Sequence, residues 1–515
     1  MRKHGKHTMV MAAGLSLAMI STACGGGGAD KTPNKEGAAT SAKKETPTEI
    51  SIMSTFYSQE PPADDNIIVK EVEKRTNTKL KITWVSSNNY TDKQNVTLAS
   101  GNIPDLMLVM DPFAPNVVSM ARQGAFWDLS PMIQNYPNLS KFPEISWSNI
   151  KSEGGKIYGI PRVRPTDGQQ VLFIREDWLK KLNLKMPETL DDVYKVMKAF
   201  TENDPDGNNK KDTFGFTANV NATDMGYFAI FENAFNNANG KWKLKDGQLV
   251  DTVLEPGTKQ AIEFLTKAYQ EGLIPPDFAV LKNNQAKEML ASNRAGMSVD
   301  AINAAWTNGD ELRKTMPDAD FYPLPSITGP NGKFVSKSTG FFGVFLIPKK
   351  VPEAKLKKIL EFMDYGASEE GGSLADYGLK DLHYTEQGGV KTATAQAAKD
   401  NVSPNAFGQI FKNFDKYFRA YAPGITPPKM DRNKKIIDEQ EKISIGEPHI
   451  GLVSETNIKL GSDYAKKIME LKIAIIMGKE KLDAWDVFVA KLKADSEYQK
   501  IITEMNDAYK KKAGK

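Results

Sequence analysis

In the nine residues from Asp204 to Asp212, side-chain oxygens recur at every second position, at Asp204, Asp206, Asn208 and Asp212, with Lys210 able to offer only its backbone carbonyl. This is the order of positions 1, 3, 5, 7 and 9 of an EF-hand loop, where a hard cation gathers about six to eight oxygens at short range. Three carboxylates would neutralise a calcium ion, and Gly207 and Asn209 tolerate the left-handed backbone that a tight curl needs. The match is incomplete. The EF-hand's sixth-position glycine is Asn209 here and its twelfth-position glutamate is Gly215, so a further ligand must come from elsewhere. A solvated type I turn of the Asp-Pro-Asp-Gly sort fits the same residues. Spacing alone leaves both readings open.

A helix with readable ends leads into this loop. Thr189 is placed to cap it, with Asp192 three residues on, and Leu190, Val193, Tyr194, Met197 and Phe200 fall on one face at helical spacing.

Other chemistry is sparsely provided. Beyond the first residues the chain has only His383 and His449 and no cysteine after Cys24, so a zinc or Cys-His centre has almost no ligands to draw on. Phosphate-cradling and nucleophile-elbow glycine patterns are absent. With 64 acidic residues, composition has no bearing on a two-carboxylate glycosidase, and a secreted polysaccharide-degrading lipoprotein stands as the alternative from a different class. His383 is expected to serve a structural hydrogen bond.

The 515 residues, 40% hydrophobic and 26% charged, suit a globular chain with more than one core. The formal net charge is +4, of which Arg2, Lys3 and Lys6 supply three, so the remainder is near neutral and gives no electrostatic case for nucleic acid. Those basic residues precede an apolar run over residues 9–20, too short for a membrane span, and residues 1–23 read as a signal peptide. Ser21-Thr22-Ala23-Cys24 resembles a bacterial lipobox, with Ser21 where leucine is usual. That resemblance implies acylation of Cys24 and a lipid anchor on the extracytoplasmic face of the cell membrane. Residues 24–48, with four consecutive glycines and no large apolar side chain, read as a flexible tether reaching on the order of 25 Å.

From residue 49 the pattern alternates: strand 49–54, helix 66–75, strand 80–85, helix 96–100, strand 106–110. That is the order of a parallel, helix-covered sheet. In open α/β sheets ligands sit beyond the carboxyl ends of the strands. Those positions hold Tyr57, Asp111 and Phe113, and Arg162 and Arg164 where the chain leaves the first sheet. A further apolar strand at 296–300 is followed by Asn303 and Trp306. Aromatic faces beside carboxylate, amide and guanidinium groups suit a sugar, although each aromatic has core packing as its alternative.

Several segments resemble family 1 extracellular solute-binding proteins, the receptors of ABC importers. They are Ser100-Gly101-Asn102-Ile103-Pro104-Asp105, residues 124–130, Tyr158-Gly159-Ile160-Pro161 and Arg175-Glu176-Asp177-Trp178-Leu179. The loop Asp204 to Asp212 is similar to a calcium loop of larger oligosaccharide-binding members, some of which place an acidic residue where Thr213 stands. The resemblance spans about residues 49–509. It implies an α/β fold of two lobes joined by a hinge, with ligand in the cleft. The lobes would divide as 49–160 and 339–370 for the first, and 161–338 and 371–515 for the second. It further implies a monomeric receptor that performs no chemistry, closes on a sugar or oligosaccharide and delivers it to permease subunits. A peptide-binding or signalling receptor on the same fold is a third reading. Within that frame Tyr57, Asp111, Arg162, Asn303 and Trp306 are the candidate ligand contacts. Arg162 and Arg164 suit either an anionic sugar or interlobe salt bridges.

Overall fold

The computed structural model describes residues 46–512 apart from 59, 388, 389 and 423. The signal peptide, Cys24 and nearly all of the tether lie outside the described residues. Among the described residues no helix is long and apolar enough to cross a membrane.

The first sheet has five strands in the order Thr78–Ser86, Thr48–Phe56, Leu106–Val109, Phe341–Leu346, Gly159–Val163. Thr48–Phe56 pairs in parallel with both of its neighbours, as the alternation of strands and helices predicts. The all-parallel expectation fails at Phe341–Leu346, which inserts antiparallel between Leu106–Val109 and Gly159–Val163. Its residues 343–346 are buried on both sides and carry no mark of their direction.

The motif at Ser100 to Asp105 has a structural account. Gly101 stops the helix Tyr90–Ser100 in the left-handed conformation at φ 71°. Asp105 then accepts hydrogen bonds from the backbone N–H and hydroxyl of Ser51 at 2.8 and 2.6 Å and pairs with Lys355 at 2.8 Å. One carboxylate thus ties the first strand, the third strand's entry and the helix Glu353–Ala367 together.

The second lobe is built on the antiparallel sheet Met297–Asp300, Val171–Arg175, Phe321–Pro323. Around it packs a core that includes Trp178, Phe200, Phe216 and Phe231. The helix Leu190–Glu202 carries the expected capping box between Thr189 and Asp192, and Leu190, Val193, Met197 and Phe200 are buried. The helix Glu455–Ile476 is longer than its apolar end suggests. Its first half is mainly solvated, and Ser454 caps it by accepting from the N–H of Asn457.

Three segments join the cores. Outgoing residues near 164–166 pair with returning residues near 338–340: Arg164 N–H donates to the carbonyl of Gly340 at 2.9 Å, and Ser338 N–H to that of Thr166 at 2.8 Å. The third crossing comes later than the expected residue 371. Leu374, Ala375, Phe407, Ile410 and Phe411 still belong to the first core, and Ala420 is the residue that joins Val171, Ile302 and Ile437. The boundary moves because the stretch after the helix Glu353–Ala367 buries its apolar residues back against that helix, as in the contact of Phe411 with Phe362 at 4.7 Å between centroids.

Candidate functional site: a cation-rich cleft and an acidic loop

The carboxyl ends of Thr48–Phe56, Leu106–Val109 and Gly159–Val163 share one edge of the first sheet, which brings Tyr57, Asp111 and Arg162 to a common rim. Tyr57 is 42% exposed. Asp111 is exposed and its carboxylate accepts from the N–H of Phe113 at 2.8 Å. Arg162 is only 1% exposed. Its Nε donates to the carbonyl of Phe342 at 2.6 Å and its Nη1 to the side-chain carbonyl of Gln409.

Near the rim lies a group of buried and half-buried cations assembled from distant parts of the chain. Arg164 is buried and donates to the carbonyl of Val163 at 3.0 Å. Burial, then the neighbouring Arg162 and Arg419, press its pKa well below the ordinary arginine value. Arg419, on the third crossing segment, lies over the ring of Phe418 at 5.4 Å, and its buried Nε has no hydrogen-bond partner among the described residues. Burial lowers its pKa, against the pull of Asp300 and Tyr227 from the second lobe. Lys412 holds Asp376 at 2.5 and 2.8 Å. Burial brings its pKa down to about 8, with Asp376 opposing the shift and Arg164 and Arg162 adding to it. Among the described residues Arg162, Arg164 and Arg419 form no ion pair with a carboxylate, so the interlobe salt bridges considered for Arg162 and Arg164 are not formed. A buried guanidinium without a counter-ion is costly and is poised for an anion.

The second-lobe candidates sit apart from this group. Asn303 is half-buried at the start of the short helix Ala304–Thr307. Trp306 is 9% exposed and packs with Ala422 and Ile425. The guanidinium of Arg313 lies 3.6 Å from its ring centroid, so one face of the indole is already taken. Arg419, Lys412 and Phe342 escaped the sequence reading. The first two belong to a stretch in which basic and aromatic residues interleave, Lys412 to Tyr421, and that alternation was the available signal. His383 is fully buried, accepts from the N–H of Leu379 at 2.9 Å through Nδ1 and meets Asp400 at 3.0 Å through Nε2, which is the expected structural role.

The loop at Asp204 curls as expected, with Asp204, Gly207 and Asn209 at φ 48°, 77° and 62°. Its acidic side chains are engaged locally. Asp204 accepts from the N–H groups of Gly207, Asn208 and Asn209, each at 3.0 Å. The amide nitrogen of Asn208 donates to Asp206 at 2.8 Å and to Asp212 at 3.1 Å. The N–H of Lys210 donates to Asn208, and Thr213 is buried and turned to the carbonyl of Phe200 at 2.7 Å, away from the loop. Among the described residues no three His, Cys, Asp or Glu side chains are grouped to hold a metal ion. The donor chemistry nevertheless suits a hard cation. Asp206 and Asp212 converge on one amide, and burial and then the neighbouring carboxyl of Asp204 raise the pKa of Asp206, with Asp212 adding to the shift. The ammonium of Lys181 donates to the carbonyl of Pro205 at 2.8 Å and lies beside Gly207.

Residues 57–373 match the family described as bacterial extracellular solute-binding protein. The chain is 33% identical over 442 residues to lipoprotein LipO of Bacillus subtilis (strain 168), covering 83% of this chain and 86% of that one. It is also 33% identical over 489 residues to the polygalacturonan/rhamnogalacturonan-binding protein YtcQ of the same organism, covering 93% and 95%. Among solved structures, an EF-hand mutant of the Streptococcus pneumoniae ABC-transporter substrate-binding protein FusA, in complex with fructo-nystose, superposes with a TM-score of 0.66 at 19% identity, over 91% of this chain and all of that one. Its two-lobe architecture is therefore shared with solved solute-binding proteins. On these matches the chain belongs to the bacterial extracellular solute-binding protein family.

Proposed function

We propose that the chain is the substrate-binding component of an ABC importer and that its ligand is an oligosaccharide carrying carboxylate groups. The observation that carries this reading is that, among the described residues, neither Arg164 nor Arg419 forms an ion pair with a carboxylate, and both lie on segments that cross between the lobes. The relative named for polygalacturonan and rhamnogalacturonan binding, both rich in uronic acids, supports it. Tyr57 and Asp111 supply an aromatic face and an acceptor at the first-lobe rim, and Asn303 contributes from the second lobe, where Trp306 packs with Ala422 and Ile425. Arg164 and Arg419 neutralise the uronate. Ligand then adds contacts to both lobes and shifts the equilibrium toward closure, the form offered to the permease. No covalent step is involved, so incubation with a glycan panel should release no products.

Cys24 carries the lipid anchor in this reading, the protein acts as a monomer, and Cys24→Ala should leave it in the medium. The loop takes calcium through Asp204, Asp206, Asn208, the carbonyl of Lys210 and Asp212, once Asn208 turns its oxygen inward. Bound there, the ion neutralises three crowded carboxylates and stiffens the second lobe. In thermal-shift measurements on the mature chain, oligogalacturonides should raise the melting temperature more than neutral sugars of equal length. A panel in which only neutral sugars raise it would return the guanidiniums to a packing role at the hinge.

A further inference from the structure

We infer that Phe342 is the stacking platform of the cleft, and that Arg162, read from sequence as a ligand contact, is the residue that positions it. The returning strand pairs Phe341 with Val163 and Val344 with Pro161, so it carries one residue more than its partner between these pairs. This is a β-bulge, the device by which a strand re-aims a side chain. Gly343 makes it possible: φ is 84°, and a Cβ there would stand 3.0 Å from both Leu108 Cδ1 and the carbonyl oxygen of Val109. No other residue type fits that position without strain. The bulge leaves Phe342 47% exposed at the rim of the cleft, although its neighbours Val344 and Phe345 are wholly buried.

An exposed aromatic held in one place calls for an explanation that an exposed aromatic on a mobile loop does not. Phe342 is held. Arg162 binds its carbonyl at 2.6 Å and lays its guanidinium 4.8 Å from the ring centroid. Arg162 is fixed in turn by Gln409, whose amide nitrogen donates to the carbonyl of Pro404 at 2.5 Å. Buried to 1%, Arg162 has no surface left for ligand. Its charge backs one face of the phenyl ring, and the other face remains for the C–H face of a pyranose. The backbone bond from Arg164 to Gly340 sets that residue opposite the returning strand two residues before Phe342, and in this reading one sugar unit stacks on Phe342 and directs its carboxylate to Arg164 and Arg419.

This inference rests on the sugar-binding reading, and the test separates the two. Trigalacturonate and its carboxyl-reduced counterpart are titrated calorimetrically into the full mature chain and into Phe342→Ala and Phe342→Tyr. Phe342→Ala should weaken both sugars by about tenfold or more, as loss of a central aromatic contact does. The ratio of the two affinities and the melting temperature of the free protein should stay unchanged, and Phe342→Tyr should restore most of the loss. In the Phe342→Ala background, Arg162→Met should cost no further affinity. A Phe342→Ala protein that binds both sugars as the native chain does overturns the platform. A native chain that binds the reduced sugar as well as the acid contradicts the charge reading alone, because Phe342→Ala is then judged on the reduced sugar. Native protein that binds neither sugar overturns both.

Discussion

The acidic loop and the cation-rich cleft present the same physical problem with opposite sign. In the loop, three aspartates crowd within nine residues with only the Asn208 amide between Asp206 and Asp212. In the cleft, the guanidiniums of Arg162 and Arg164 are buried and that of Arg419 half-buried, and among the described residues none of them forms an ion pair with a carboxylate. The loop is exposed and solves its problem partly with water and its own backbone N–H groups. In the cleft Arg162 and Arg164 are withdrawn from water, so their charges are worth more to a ligand that supplies the missing sign. Charge excess in a folded chain is thus a site signal chiefly where burial prevents solvent from answering it.

Within the cleft, Lys412 differs from the arginines in having Asp376 as a partner, and that contrast gives the largest expected effect. Removing one member of a buried pair leaves the other uncompensated, so Asp376→Ala should destabilise the protein by about 3 to 5 kcal/mol. Arg419→Gln removes a charge that forms no ion pair among the described residues and should cost less than about 1 kcal/mol or even stabilise the ligand-free protein. Chemical denaturation of the two variants measures the difference. Equal losses would mean that Arg419 has a counter-ion in solution.

The loop prediction is next in size. At 100 times its Kd, calcium should stabilise the native state by about 2.7 kcal/mol. Asp206→Asn relieves the repulsion from Asp204 and Asp212, so in chelator it should melt above the native protein, and in millimolar calcium below it. Melting curves that keep the same order under both conditions would leave the loop a solvated turn.

What could be read in advance divides along the same line. The loop and its helix were legible because their information is local: alternate oxygens over nine residues, and the Thr189 to Asp192 box at one helix end. The first three strands were legible from their alternation with helices. The direction of Phe341–Leu346 was not, since its buried residues 343–346 show no period. The cleft was only partly legible. Tyr57, Asp111 and Arg162 follow strand ends, but Lys412 and Arg419 reach the site through a crossing segment with no helical or strand period. Trp306 was a candidate contact by its position after a strand, with core packing as the alternative, and Arg313, Ala422 and Ile425 cover it from separate parts of the fold.

The smallest effect concerns pH. Lys412 has a folded pKa of about 8, below the ordinary lysine value, because burial disfavours its charge. The unfolded chain therefore binds more protons between that value and the ordinary one, and this group's contribution to stability grows as pH rises through the interval. Ligand affinity should move the other way. A bound anion favours protonated Lys412, so affinity for an acidic sugar should fall above pH 8, by up to about tenfold for each unit by which the anion raises that pKa. Affinity for the carboxyl-reduced sugar should stay level. Parallel profiles for the two sugars would remove Lys412 from the field that the ligand feels.

The central claim is that Arg164 and Arg419 await a carboxylate, and the ratio of affinities for trigalacturonate and its carboxyl-reduced counterpart tests it most directly, measured by calorimetry at one ionic strength in the native chain and in Arg419→Gln. The account predicts at least about a tenfold preference for the acid in the native chain, the worth of one charge-assisted contact. It predicts that most of this preference disappears in Arg419→Gln while binding of the reduced sugar is unchanged. A native ratio near one, or a preference that survives Arg419→Gln intact, would contradict it.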